Sequence, residues 1–92
     1  MGGMYLTSTG FAGLTRSLME IAAACCQGRL VLSLEGGYHS EALANSILTV
    51  LKELSNETVS DVKSLAAQAD PRKLHHIMKR CKPVHGQFWR SL

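Results

Sequence analysis

The run Leu30-Val31-Leu32-Ser33-Leu34 is almost unbroken in apolar character and is bounded by Gly28 and Gly36. So short a run suits a strand buried on both faces, as in a parallel sheet, better than a buried helix segment. It leads directly into Glu35-Gly36-Gly37-Tyr38. In open α/β proteins ligands bind at the carboxyl ends of the strands, so chemistry is expected at this junction. A strand of this kind also needs lateral partners. The chain has only one such run, and flanking helices cannot satisfy its amides and carbonyls. Either a partner chain supplies the neighbouring strands, or the chain is the end of a larger α/β protein.

Helical patterns flank the run. Phe11, Leu14, Leu18, Ile21, Ala22 and Cys25 recur at helical spacing, which predicts a helix over residues 8–27. Thr7-Ser8-Thr9 offers its N-caps, Gly28 a left-handed stop, and Gly10 and Gly13 weaken its first turns. Ser40 can cap the next helix, with Glu41 near its positive end. Leu43, Ala44, Ile47, Leu48, Leu51 and Leu54 form its stripe, and it is expected to end near Ser55-Asn56. Val59, Val62, Leu65 and Ala66 suit either a short helix or an ordered loop. Asp70-Pro71 reads as a helix start, with a cap and an N1 proline. Leu74, Ile77, Cys81, Val84, Phe88 and Leu92 then share a face, which Pro83 is expected to kink or split.

Ninety-two residues make at most one domain, which buries only roughly 60–65% of the surface its unfolded form exposes. No apolar run approaches the length of a membrane span, and the first residues lack the basic flank of a secretory signal. Three cysteines, two of them adjacent, make no disulfide framework, so reduced thiols and a cytoplasmic setting are expected. Cys25 is expected in the core with Cys26 near its edge, since adjacent helix positions chelate poorly. Cys81 with His75, His76 and His85 does not match a standard zinc spacing. The net charge of +3 is unevenly spread: every acidic residue lies at or before Asp70, and six lysines and arginines follow it. That tail could meet nucleic acid, but a solvated amphipathic helix explains it more simply.

Glu35-Gly36-Gly37-Tyr38 is the strongest candidate site. Paired glycines let backbone turn sharply and approach a ligand, and a phenol that keeps its proton at neutral pH can donate to a developing oxyanion. A glycine turn with a packed tyrosine accounts for the same residues without chemistry. The motif is neither a dinucleotide fingerprint nor a phosphate loop.

Thr9-Gly10-Phe11-Ala12, then Leu14-Thr15, then the stretch from Gly28 to Tyr38 together resemble the C-terminal part of the zinc-dependent deacetylases. That family joins histone deacetylases, especially class II-like members, with acetylpolyamine amidohydrolases. Gly2-Gly3-Met4 and the ending from His85 to Leu92 are also similar to that region. The resemblance implies a C-terminal fragment of a three-layer parallel-sheet arginase/deacetylase-type α/β fold, mostly helical with one buried parallel strand. Residues 1–56 would form a helix-strand-helix segment and residues 57–92 a helical tail. It also implies hydrolysis of an N-acetyl amide on lysine or polyamine. Tyr38 matches the family's oxyanion-stabilising tyrosine, and Gly36 and Gly37 match the glycines that shape the substrate site.

The chain departs from that pattern in its metal chemistry. The family's zinc ligands include an Asp-x-His pair, yet Asp61 is followed by Val62-Lys63 and Asp70 by Pro71-Arg72. His75-His76 lies outside the family's catalytic context. The expectation is therefore zinc in complete family members and no metal ligand or cofactor here, with the isolated chain inactive. The alternative is a non-catalytic truncated remnant that acts as an oligomerising interaction module. Expected partners are the acetylated substrate in the complete enzyme, and either a second copy or the missing N-terminal part. No membrane partner is expected, and nucleic acid is disfavoured.

Overall fold

The computed structural model describes residues 6–90, so Gly2-Gly3-Met4, Ser91 and Leu92 lie outside the described residues. Four helices follow in order: α1 (Ser8–Cys25), α2 (Ser40–Leu54), α3 (Val62–Ala67) and α4 (Pro71–His85). Helix α1 packs on α2 and on α3, whereas α4 makes no contact with another helix among the described residues.

The helix ends follow side-chain chemistry. Thr7 caps α1, its Oγ1 accepting from the Gly10 amide at 3.0 Å. At the other end α1 stops at Cys25, two residues short of the expected Gln27; Gln27 already turns left-handed at φ 60°, and Gly28 follows at φ +77° with its amide donating to the Ala22 carbonyl at 2.9 Å. Helix α2 is capped by His39 rather than by the expected Ser40: Nδ1 of His39 accepts from the Ala42 amide at 3.1 Å. An accepting Nδ1 places the ring proton on Nε2. Helix α2 ends at Leu54, with Asn56 left-handed at φ 60°, where the sequence predicted. Asp61 caps α3 by accepting from the Ser64 amide at 3.2 Å, so the ambiguous stretch after Val59 is a short helix. Asp70 caps α4 with Pro71 behind it. The side chain and amide of Arg72 hold the Asp70 carboxyl below its usual range. Pro83 does not split α4, which runs on to His85. Lying in the last turn, it leaves little helix beyond it to disrupt.

The expected α/β architecture is not present. Among the described residues there is no strand, and Leu30–Leu34 is an unpaired segment running over the surface. Val31 is 93% exposed and Leu34 65%. The physical reason is the one that made the run conspicuous. A strand is stable only when neighbours pair its backbone, and no second such segment stands beside this one. Without that pairing, the apolar side chains acquire no layers to cover them.

The helices bury little of the apolar stripes their sequences suggest, Ala22 of α1 excepted. In α1, Ala12, Gly13, Thr15 and Ala22 are buried, while Leu14, Leu18 and Ile21 are exposed. Cys25 and Cys26 are both exposed, so Cys25 is not a core residue. Small residues allow close approach. A Cβ at Gly13 would stand 3.0 Å from Cδ1 of Leu65, so α3 lies nearly against the α1 backbone there. The buried Thr15 hydroxyl is satisfied within the helix by donating to the Phe11 carbonyl at 2.8 Å. In α2 the fully buried side chain is Glu53, while Leu48 and Leu51 are more than half exposed.

Glu53 forms the centre of the packed region. Its Oε1 accepts from Nε of Arg16 and from the Ser60 amide, both at 2.7 Å. Its Oε2 accepts from the Thr58 hydroxyl at 2.7 Å and the Ser60 hydroxyl at 3.2 Å. Arg16 also donates to the Thr58 and Glu53 carbonyls at 3.0 and 3.3 Å, and to Oδ1 of Asn56 at 3.2 Å. Burial pushes the Glu53 carboxyl upward. The hydrogen bonds from the Ser60 amide, Thr58, Arg16 and the Ser60 hydroxyl outweigh it and hold the group at about 2. One ion pair thus ties α1, α2 and the turn that follows α2.

Candidate functional site

The Glu35–His39 loop enters α2 through the His39 cap, which places Tyr38 one residue before that cap. Gly37 makes the turn possible. Its φ is +126°, where L side chains are strained, and a Cβ there would lie 2.6 Å from Cδ1 of Leu43. A Cβ at Gly36 would lie 3.8 Å from Cε2 of Tyr38, an ordinary contact, so Gly36 is not sterically obligatory. The loop therefore needs glycine at one of its two glycine positions.

Tyr38 is 82% exposed and lines an open groove of about 920 Å³. Leu34 and both glycines share the rim, and Phe11, Leu43, Ile47 and Leu51 form much of its apolar wall. The structure thus brings Gly36, Gly37 and Tyr38 together in the lining of an apolar groove. A phenol there can donate a hydrogen bond to an oxygen presented from the groove.

Among the described residues, no group of three or more His, Cys, Asp or Glu side chains could hold a metal ion. His76, Cys81 and His85 line a smaller cavity of about 360 Å³ with Arg80, but they do not form such a group.

Sequence reasoning missed Arg16, Glu53 and His39. Glu53 carried a signal, since the positions before it on its face, Ser46 and Thr49, are small or polar, whereas Arg16 shares its face with Glu20 one turn on. The apolar stripes drew attention to the opposite sides.

The family model for the histone deacetylase domain matches residues 1–54. The match takes in α1, the Glu35–His39 loop and α2, and ends on the last residue of α2. The chain is also similar to histone deacetylase 10, chloroplastic, of Oryza sativa subsp. japonica, at 31% identity over 94% of this chain and 20% of the relative. A probable deacetylase of Archaeoglobus fulgidus is 31% identical over 92% of the chain and 27% of its own length. Histone deacetylase HDA1 of Candida albicans is 33% identical over 100% of the chain and 10% of its own length. No solved structure matches. The chain belongs to the histone deacetylase family. It spans between 10% and 27% of the length of these relatives.

Proposed function

We propose that the chain is the C-terminal part of a class II-like deacetylase that hydrolyses N-acetyl amides on lysine or polyamine, and that Tyr38 is its oxyanion donor. The observation that carries this reading is the position of Tyr38. It lies inside the family match, beside a glycine the backbone requires, at the rim of the groove. When the acetyl carbon becomes tetrahedral its oxygen gains charge, and a donor already in place stabilises that charge more than the neutral carbonyl. Gly36 and Gly37 keep side-chain bulk away from that approach.

The chain by itself is inactive under this proposal, because its sequence carries no Asp-x-His pair of the kind the family uses to hold zinc. A cytoplasmic setting belongs to the same proposal and is supported by three free thiols. Among the described residues no helix is long and apolar enough to cross a membrane. The test is Tyr38→Phe in a protein that carries this chain together with deacetylase activity. Turnover of an acetyl-lysine peptide should fall about 10²–10³-fold, as on loss of an oxyanion donor. An unchanged rate refutes the assignment. Stoichiometric zinc and turnover in the purified chain alone would refute its inactivity.

The exposed stripe Leu14, Leu18 and Ile21 favours a second reading, an interaction module that covers this face with a second copy or with another part of the parent protein. Light scattering after size exclusion tests self-association, and a stable monomer across the concentration range refutes it.

A further inference from the structure

Helices α1, α3 and α4 are capped by Thr7, Asp61 and Asp70, whose oxygens stay acceptors at any pH near neutrality. Helix α2 differs. Its cap is Nδ1 of His39, which accepts from the Ala42 amide at 3.1 Å, although Ser40, a residue type that favours caps, stands one position on. Imidazole is the side chain that gains and loses charge between about pH 5 and 8. A proton on Nδ1 turns that acceptor into a donor facing the Ala42 donor, and it brings positive charge to the positive end of the helix.

Tyr38 stands between two attachments to the first turn of α2. On one side, Gly37 lies so close to Leu43 that a Cβ there would be 2.6 Å from its Cδ1. On the other, His39 holds the Ala42 amide through its ring and the Leu43 amide through its carbonyl, the latter at 2.8 Å. We propose that neutral His39 is a positioning residue for Tyr38, and that protonating His39 releases the Tyr38 loop from α2. The proposal rests on the reading of Tyr38 as the oxyanion donor. On release the cap passes to Ser40, whose hydroxyl can accept from the Leu43 amide. Helix α2 then starts one residue later, and Tyr38 stands one residue further from it. Tyr38 and His39 are the titratable side chains in the groove lining, and the segments opposite bring Leu6, Phe11, Leu32, Ser33 and Leu34, none of them charged. Glu35 and Glu41 are the nearest acids in sequence, and among the described residues neither pairs with His39. Glu41 would attract a protonated ring but cannot return an acceptor to the Ala42 amide.

In the full chain, exchange protection of the Ala42 amide, corrected for its intrinsic rate, is followed by NMR alongside the His39 ring nitrogens. Protection should fall about fivefold as the ring gains its proton, the size of one cap. His39→Asn keeps a capping oxygen that does not titrate and should hold protection throughout, whereas His39→Ala should show the low value throughout. In a protein that carries this chain together with deacetylase activity, His39→Ala should lower kcat about two- to fivefold with little change in KM, and His39→Asn should restore it. The ratio of unmodified to His39→Asn turnover cancels the titration of other groups and should fall on the acid side. Ala42 protection that stays constant while the ring titrates overturns the proposal. So does an Asn variant as slow as the Ala variant, or a turnover ratio that does not change with pH. Tyr38→Phe separates the two readings. Full turnover in that variant removes the oxyanion assignment and this proposal with it, whereas a slow Tyr38→Phe beside a fast His39→Ala overturns the positioning role alone.

Discussion

Replacing Glu53 with glutamine keeps the shape of the side chain and removes its charge. The buried Arg16 guanidinium, 12% exposed, is then left beside a neutral amide. The Ser60 amide and the hydroxyls of Thr58 and Ser60 lose a charged acceptor. Two routes give the cost. Breaking a buried ion pair by removing one partner destabilises by about 3–5 kcal/mol. Independently, a carboxyl held at about 2 against an ordinary 4.5 contributes about 3 kcal/mol near neutral pH. Because the folded value lies below the unfolded one, this stability is complete above the unfolded value and is lost as pH falls from about 5 towards 2. Urea unfolding followed by circular dichroism should show the Glu53→Gln chain about 3 kcal/mol less stable near neutral pH. The variant should also lack most of the acid-dependent loss seen in the unmodified chain. A difference below about 1 kcal/mol, or equal acid sensitivity in both proteins, would refute the clamp.

Four further substitutions bear on the local structure. Gly37→Ala must place a side chain at φ +126° and against Leu43, and should cost about 1–3 kcal/mol in urea titrations. Thr7→Ala removes the acceptor for the Gly10 amide and should cost about 1 kcal/mol, with amide exchange faster in the first turn of α1. Ala22→Leu adds bulk at a position only 4% exposed and should cost about 1–3 kcal/mol, whereas Leu18→Ala at 45% exposure should change stability far less.

Helix limits were legible because they depend on neighbours in sequence. Thr7, Gly28, Asn56 and Asp70-Pro71 each act within a turn of where they stand, and each does so in the structure. Burial was not legible, because it depends on what stands opposite. Periodicity marked the stripe Phe11, Leu14, Leu18, Ile21, Ala22 and Cys25, but of these the structure buries only Ala22, together with Ala12 and Thr15 from outside the stripe. The Arg16–Glu53 pair, with Asn56, Thr58 and Ser60, holds that side of α1 against the end of α2 and the turn after it. The strand at Leu30–Leu34 failed for a related reason: its pattern describes a place in a sheet, and a sheet is a property of several segments. The Glu35–Tyr38 loop lay between these cases. Its glycine turn could be read locally, and the groove beside it required α1 and α2 to be placed.

The separation of α4 has a thermodynamic consequence. A 15-residue helix with no other helix packed on it among the described residues is near the shortest length that holds together in water, and much of its stability comes from within itself. Its amides should therefore exchange through local fraying, while those of α1 and α2 exchange only when the clamp opens. Heating should melt α4 gradually and the helical pair cooperatively, so a single midpoint would not describe this chain.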